Sequence, residues 1–291
     1  MRVEPLQITR ARRALEKSGA IVKIEKHKTH WYTLRETPKK EVQERIDEQG
    51  AVFSRLGISA FTKRLGQTLE IAIFRSLSEA GVDFLGSFPD LAVHNDATLY
   101  SKEEPPSHIG KNAIPDKSKV DFLYRSNASG WAAIEAKNVR EWQYPDRDEI
   151  RHLLRKAVHL DAVPVFIARR IPYVTFYLLS RCGVLFHQNY NQYFPTADAE
   201  LANLAKNKHL LGYHDIRVGN CPDKRLQKFL VTNLPDLVER ARPLFQGYKD
   251  LLSAFGNGDM QYKEFAARVR RRSNGTNEDR DDDEEDVEAE D

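Results

Sequence analysis

The sequence predicts an α/β fold in which helices cover a sheet, and three observations carry that prediction. Two β-prone runs, KVDFLY at 119–124 and WAAIEAKNV at 131–139, lie one SNASG turn apart and read as an antiparallel hairpin. An unbroken apolar run, AVPVFIAR at 162–169, has the length and composition of a strand buried on both faces. Helical periodicity lies on either side, at 65–80 and at Asp148–Leu160, where apolar residues recur three and four apart.

Taken in order, residues 9–17 (TRARRALEK) predict a short helix stopped by Gly19. IVKIEK and THWYTL follow as two short strands joined by the polar pair His27-Lys28, and 39–56 predict a connecting helix weakened at Gly50. The 65–80 helix ends at Gly81, and a stretch rich in Pro, Ser and Asn at 86–118 has no regular pattern. After the hairpin come the helix at Asp148–Leu160, the buried strand, and TFYLL and VLFHQ as further strands. Residues 197–206, 223–233, 235–253 and 260–272 read as helical, with a strand near 210–218. The expected organisation is a basic N-terminal segment at 1–64, a main domain at 65–272 and an acidic tail at 273–291.

Hydrophobic residues make up 41% of the 291, enough for a real core, which excludes a wholly disordered chain. No apolar run approaches the ~18–20 residues that cross a bilayer. The first residues have no apolar signal region, and the expectation is a cytoplasmic protein. Cys182 and Cys221 make neither a disulfide framework nor a four-cysteine zinc site. The net charge of +2 hides an asymmetry: residues 278–291 carry eleven acids against Arg280, which leaves 1–277 at +12. A body that basic suits a polyanion, because neutralising phosphates releases condensed counterions. The tail has no hydrophobic pattern and is expected to be disordered, either as a solvated terminus or as a nucleic-acid mimic shielding the basic body.

Residues 1–64 hold fifteen Lys or Arg against eight Asp or Glu. A helix followed by a two-stranded ribbon with a basic tip is similar to the second half of a winged helix-turn-helix. That resemblance would aim Arg10, Arg12, Arg13, Lys26 and Lys28 at phosphates. The alternative is an amphipathic cap on the main domain.

The chemistry concentrates around the hairpin. Asp121 lies in its first run, and fourteen residues later the second run ends IEAK, with Glu135 and Lys137 two apart. Side chains two apart on a strand leave the same face, so Glu135 and Lys137 emerge together across the turn from Asp121. Two carboxylates beside an ammonium are what metal-assisted phosphodiester hydrolysis needs: hard oxygen ligands for Mg²⁺ and a cation to orient the nucleophile. Glu70 shares a helix face with Ile73, Phe74 and Leu77, and an acid there wants a partner. No Gly-x-Ser-x-Gly elbow, phosphate-binding glycine loop or His-Glu-x-x-His helix is present.

This spacing resembles the PD-(D/E)xK nuclease superfamily, over roughly residues 64–185. The outline is closest to archaeal Holliday-junction resolvases: a Gly-x-x-x-Glu helix, then Val-Asp, then Glu-x-Lys. The resemblance implies a restriction-endonuclease-like mixed sheet flanked by helices, with Glu70, Asp121 and Glu135 holding Mg²⁺ (Mn²⁺ substituting) and Lys137 positioning water. It also implies 5′-phosphate and 3′-hydroxyl ends. Valine precedes Asp121 where the motif has proline, and Pro115-Asp116 makes Asp116 the competing ligand. The interval of about fifty residues between Glu70 and Asp121 implies an insertion, which would bring His94, His108 and Lys111 to the substrate. Arg140 and Trp142 follow the lysine and would meet a phosphate and a base, and His152 on the next helix is a secondary candidate.

The expected function is therefore a metal-dependent DNA endonuclease serving restriction, repair, recombination or a mobile element, with RNA as an alternative substrate. Double-strand cutting would favour a homodimer. The competing class is a non-catalytic nucleic-acid-binding or regulatory protein on a nuclease-like scaffold.

Overall fold

The computed structural model describes residues 5–26 and 29–276. Helix α1 (Pro5–Lys17) turns at Gly19 into β1 (Ile21–Lys26) and β2 (Thr29–Leu34), followed by α2 (Lys39–Leu56) and α3 (Ser59–Ala80). Three two-residue strands come next: β3 (Phe84–Leu85), β4 (His108–Ile109) and β5 (Asn112–Ala113). The hairpin is β6 (Phe122–Ser126) and β7 (Gly130–Lys137). Then follow α4 (Asp148–Leu160), β8 (Val163–Ala168), α5 (Tyr173–Ser180), β9 (Leu185–Gln188) and β10 (Gln192–Phe194). Helix α6 (Ala199–Lys206), β11 (Ile216–Val218) and α7 (Lys224–Lys228) lead through a π-helical turn at Phe229–Asn233 into α8 (Leu234–Gly247). Helices α9 (Lys249–Asn257) and α10 (Tyr262–Asn274) close the described chain. The expected acidic tail lies outside the described residues, apart from 273–276, where α10 and its Gly275 cap end.

These elements form two compact units, one of Met1–Thr62 with Ala199–His214, the other of Lys63–Asp198 with the chain from Asp215. The first unit thus takes in α6 from far along the chain. In that unit β1 and β2 pair antiparallel from Ile21↔Leu34 to Lys26↔Thr29. Helix α2 buries Val42, Ile46, Gly50 and Val52, so Gly50 is a packing position in a continuous helix and not an interruption.

The second unit is mixed α/β. Its sheet has the order β3-β6-β7-β8-β9, with β3, β6 and β7 antiparallel and β7, β8 and β9 parallel. Interior strand β8 is buried at all six positions, as its unbroken apolar run requires. Helices α4, α5 and α8 pack on the sheet strands, and α9 packs on α4. Gly183, between α5 and β9, has φ of 76°, and a Cβ there would come within 2.4 Å of Phe245 N and 2.5 Å of Ala241 O. Glycine is what lets the α8 backbone close on that turn.

The TFYLL expectation fails: Tyr173–Ser180 is helix α5, not a strand. Its aromatic and β-branched composition suggests β structure, but extended Pro172 starts a helix that buries Thr175, Leu178 and Leu179, three and four apart. The expected 235–253 helix is divided at Tyr248, where φ −117° and ψ 9° leave the helical region. Among the described residues, no helix is long and apolar enough to cross a membrane.

Candidate active site

Four chain segments bring ionisable groups together beside the β6–β7 hairpin. Helix α3 buries Leu69, Ile73 and Leu77 completely and carries Glu70 on the flank of that face. Asp121 stands just ahead of β6 rather than inside it, with its N–H donating to Ile134 O at 3.1 Å. Its Oδ2 accepts the N–H of Ala136 at 2.8 Å, which ties the carboxylate to the next strand. Glu135 and Lys137 leave β7 on one face and meet there, with Lys137 Nζ donating to Glu135 Oε1 at 2.8 Å. Period-two alternation thus places this pair as expected.

Two further lysines, Lys102 and Lys156, complete the cluster. Lys102 Nζ donates to Glu70 Oε2 at 2.7 Å and to Asp121 Oδ1 at 2.9 Å, joining helix and hairpin. Lys156, buried on α4, donates to Glu135 Oε2 at 3.3 Å and to Lys119 O at 2.7 Å. Lys102 is held by its neighbours. Gln67 clamps the backbone of Tyr100 on both sides, accepting from its N–H at 2.9 Å and donating to its carbonyl at 3.0 Å. Ser87 and Glu103 exchange two backbone hydrogen bonds of 2.9 Å each.

Three carboxylates and three ammonium groups therefore share a largely buried site. Burial pushes the Glu70 pKa up to about 7, helped by the Asp121 charge and opposed by Lys102. Burial works against the Lys102 ammonium, but Asp121 and Glu70 outweigh it and hold its pKa above the ordinary lysine value. Lys137 behaves alike: burial lowers its pKa, while Glu135 and then Asp121 raise it further.

The carboxylates Glu70, Asp121 and Glu135 are hard oxygen donors, and their chemistry fits Mg²⁺ or Mn²⁺. Yet no three His, Cys, Asp or Glu side chains among the described residues are arranged to hold a metal ion. The physical reason is visible: each carboxylate is drawn to a lysine. Asp116, the competing ligand, lies away from this cluster on an exposed loop, paired with Arg155 at 2.6 Å and capping Ser118 N–H.

Other candidates have different places. Arg140 turns inward, donating to Gln192 Oε1 at 3.0 Å and Asp215 Oδ1 at 2.9 Å, so it is a member of an internal network and not a free surface cation. Trp142 is covered by the Arg170 guanidinium at 5.6 Å. His152 is exposed, and it is Lys156, one turn on, that reaches the site. His94 lies over Tyr100 with ring centroids 3.9 Å apart, while His108 and Lys111 are exposed near the β4–β5 turn. In the N-terminal unit Arg10 and Arg13 are exposed, Arg12 lies over Tyr32 at 5.0 Å, and Lys26 pairs with Asp47. Lys28 lies outside the described residues.

Comparison of the chain with known protein families, with curated proteins and with solved structures returns no match.

Proposed function

We propose that this protein is a divalent-cation-dependent nuclease of the PD-(D/E)xK type that hydrolyses phosphodiester bonds in DNA, leaving 5′-phosphate and 3′-hydroxyl ends. The observation carrying the reading is the convergence of Glu70 from a helix, Asp121 from the approach to β6, and Glu135 and Lys137 from β7 on one largely buried site. Glu70, Asp121 and Glu135 would hold Mg²⁺, or Mn²⁺ in its place; the chemistry supplied there when it is bound is polarisation of the phosphodiester and activation of water.

The protein's own groups have separable tasks. Glu135 fixes Lys137 at 2.8 Å and keeps it protonated, so Lys137 presents an oriented N–H donor to the attacking water or a phosphate oxygen. The Ala136 N–H fixes the Asp121 carboxylate before substrate arrives. The net +12 of residues 1–277 supports a polyanionic substrate.

Cleavage of supercoiled plasmid with and without Mg²⁺ or Mn²⁺ tests the reading. Wild type is expected to nick or linearise the plasmid only with metal, and Glu135→Ala and Lys137→Ala to lose at least about 100-fold in rate, the lower bound usual for a positioned acid–base or electrostatic group. The exact balance of three lysines against three carboxylates favours a second reading, in which the cluster is a structural ion network in a non-catalytic nucleic-acid-binding protein. Under that reading wild type leaves plasmid, branched DNA, single strands and RNA intact, and millimolar Mg²⁺ or Mn²⁺ does not raise its melting temperature.

A further inference from the structure

We propose that the cleft lined by Tyr190, Asn191, Arg217, Lys224 and Arg225 binds the phosphate backbone of the nucleic-acid substrate, an inference that rests on the nuclease reading. Its place in the sheet is the first argument. The parallel register aligns Lys137 with Ala168 on β8, and Ala168 with Gln188 on β9. The carboxyl ends of three strands thus stand side by side, and Tyr190 follows two residues past the last of them. Two strand spacings make about 10 Å, which is roughly three nucleotides at ~3.4 Å per step. A bonded path joins the two places as well. Asn138, next to Lys137, accepts the N–H of Tyr193 at 3.1 Å, and Tyr193 pairs with Arg217 between β10 and β11.

Charge is the second argument. Lys102, Lys137, Lys156 and Arg140 are each paired with a carboxylate. Arg217, Lys224 and Arg225 make no ion pair among the described residues, and all three line one open cavity of about 760 Å³. The lining also holds one acid, Asp223, whose Oδ1 caps α7 by accepting the N–H groups of Arg225 and Leu226, each at 2.9 Å, so three cations stand against one carboxylate. Three cations against one acid leave an excess of two positive charges around the concavity, which favours a polyanion because each phosphate neutralised releases counterions. The half-exposed Tyr190 ring, with the Arg225 guanidinium 4.2 Å above its centroid, adds a flat face for a sugar or base.

The test is fluorescence anisotropy of a short labelled DNA duplex titrated with the full chain in EDTA, where cleavage is off, across a series of salt concentrations. The triple variant Arg217→Gln, Lys224→Gln, Arg225→Gln is expected to bind at least about tenfold more weakly. Its plot of log affinity against log salt should be shallower by roughly 2–3, from about 0.9 per lost phosphate contact. Lys224→Gln alone, at an exposed position, should flatten the slope by about 0.9 and guards against misfolding of the triple variant. Wild-type binding with slopes unchanged in both variants overturns the subsite and leaves the nuclease reading standing. A wild type that binds neither duplex nor single strand overturns both.

Discussion

Replacing Lys102 with methionine isolates the group that ties Glu70 to Asp121. The ammonium lies 2.7 Å from one carboxylate and 2.9 Å from the other, with side-chain exposures of 13% for the lysine, 15% for Glu70 and 16% for Asp121. Removing one member of a buried ion pair costs about 3–5 kcal/mol, since the charge left behind has neither partner nor water. Residual exposure puts Lys102→Met at the lower end, about 3 kcal/mol, or a melting temperature lower by roughly 6–12 °C in a chain of this size. The loss should depend on pH. Glu70 titrates at about 7 with Lys102 present, against an ordinary value of 4.5, and without Lys102 its pKa moves higher still. A carboxyl whose folded pKa lies above its unfolded value gains stability as pH falls through the folded pKa and loses it as pH rises. Protonated Glu70 no longer needs the lysine, so the gap between wild type and variant is wider near about pH 8 than near about pH 5.5. Thermal denaturation followed by circular dichroism at the two pH values reads both effects. Equal stability at the higher pH, or a gap that does not narrow on acidification, refutes the assignment of Lys102 as the counter-ion of this carboxylate pair.

Three other perturbations have definite outcomes. Gly183→Ala drives a methyl into the α8 backbone at a positive φ and should cost about 3 kcal/mol or more, read as a lower urea midpoint with unchanged m. Asn138→Ala removes donors to Leu65 O at 2.6 Å and Tyr193 O at 2.7 Å together with an acceptor for Tyr193 N–H; a loss of about 3 kcal/mol is expected by urea denaturation. Burial holds His187, stacked on Phe229, down to about 4, so the unfolded chain takes up its proton first and stability falls as pH drops from about 6.5 toward 4. His187→Phe should remove up to about 3 kcal/mol of that acid loss while leaving stability near pH 8 little changed, as measured by parallel urea titrations.

Local signals made much of this fold legible. β1, β2, α2 and α4 occupy the residues their patterns predict, because hydrophobic period and flanking turn residues agree there. Helix α5 escaped because β-prone composition outweighed a three-and-four spacing only eight residues long. β10 escaped because three residues, Gln192–Phe194, hold too little pattern to separate a strand from a loop. In the site, Glu70, Asp121, Glu135 and Lys137 could be read from spacing, since helix and hairpin geometry are local. Lys102 could not, because a segment without periodicity brings it in and only tertiary clamps at Gln67 and Ser87 position it. Lys156 did leave a signal: it lies on the apolar stripe of α4 with Leu153 and Leu160, where an unpaired lysine is costly.

The hairpin at the heart of the site also sets an order of assembly. Asp121 and Glu135 are joined by one of the shortest closures in the sheet, a turn at 127–129, whereas Glu70 lies 51 residues ahead of Asp121. Short loops close first, within about 1–10 μs for an isolated hairpin, and distant segments dock later against a larger entropic barrier. While the chain folds, the two hairpin carboxylates are therefore expected to meet before the helix acid arrives. Docking of α3 is then expected to complete the dehydration of the carboxylates, so substitutions at Glu70 should speed unfolding more than they slow folding, as read from the two arms of a chevron plot.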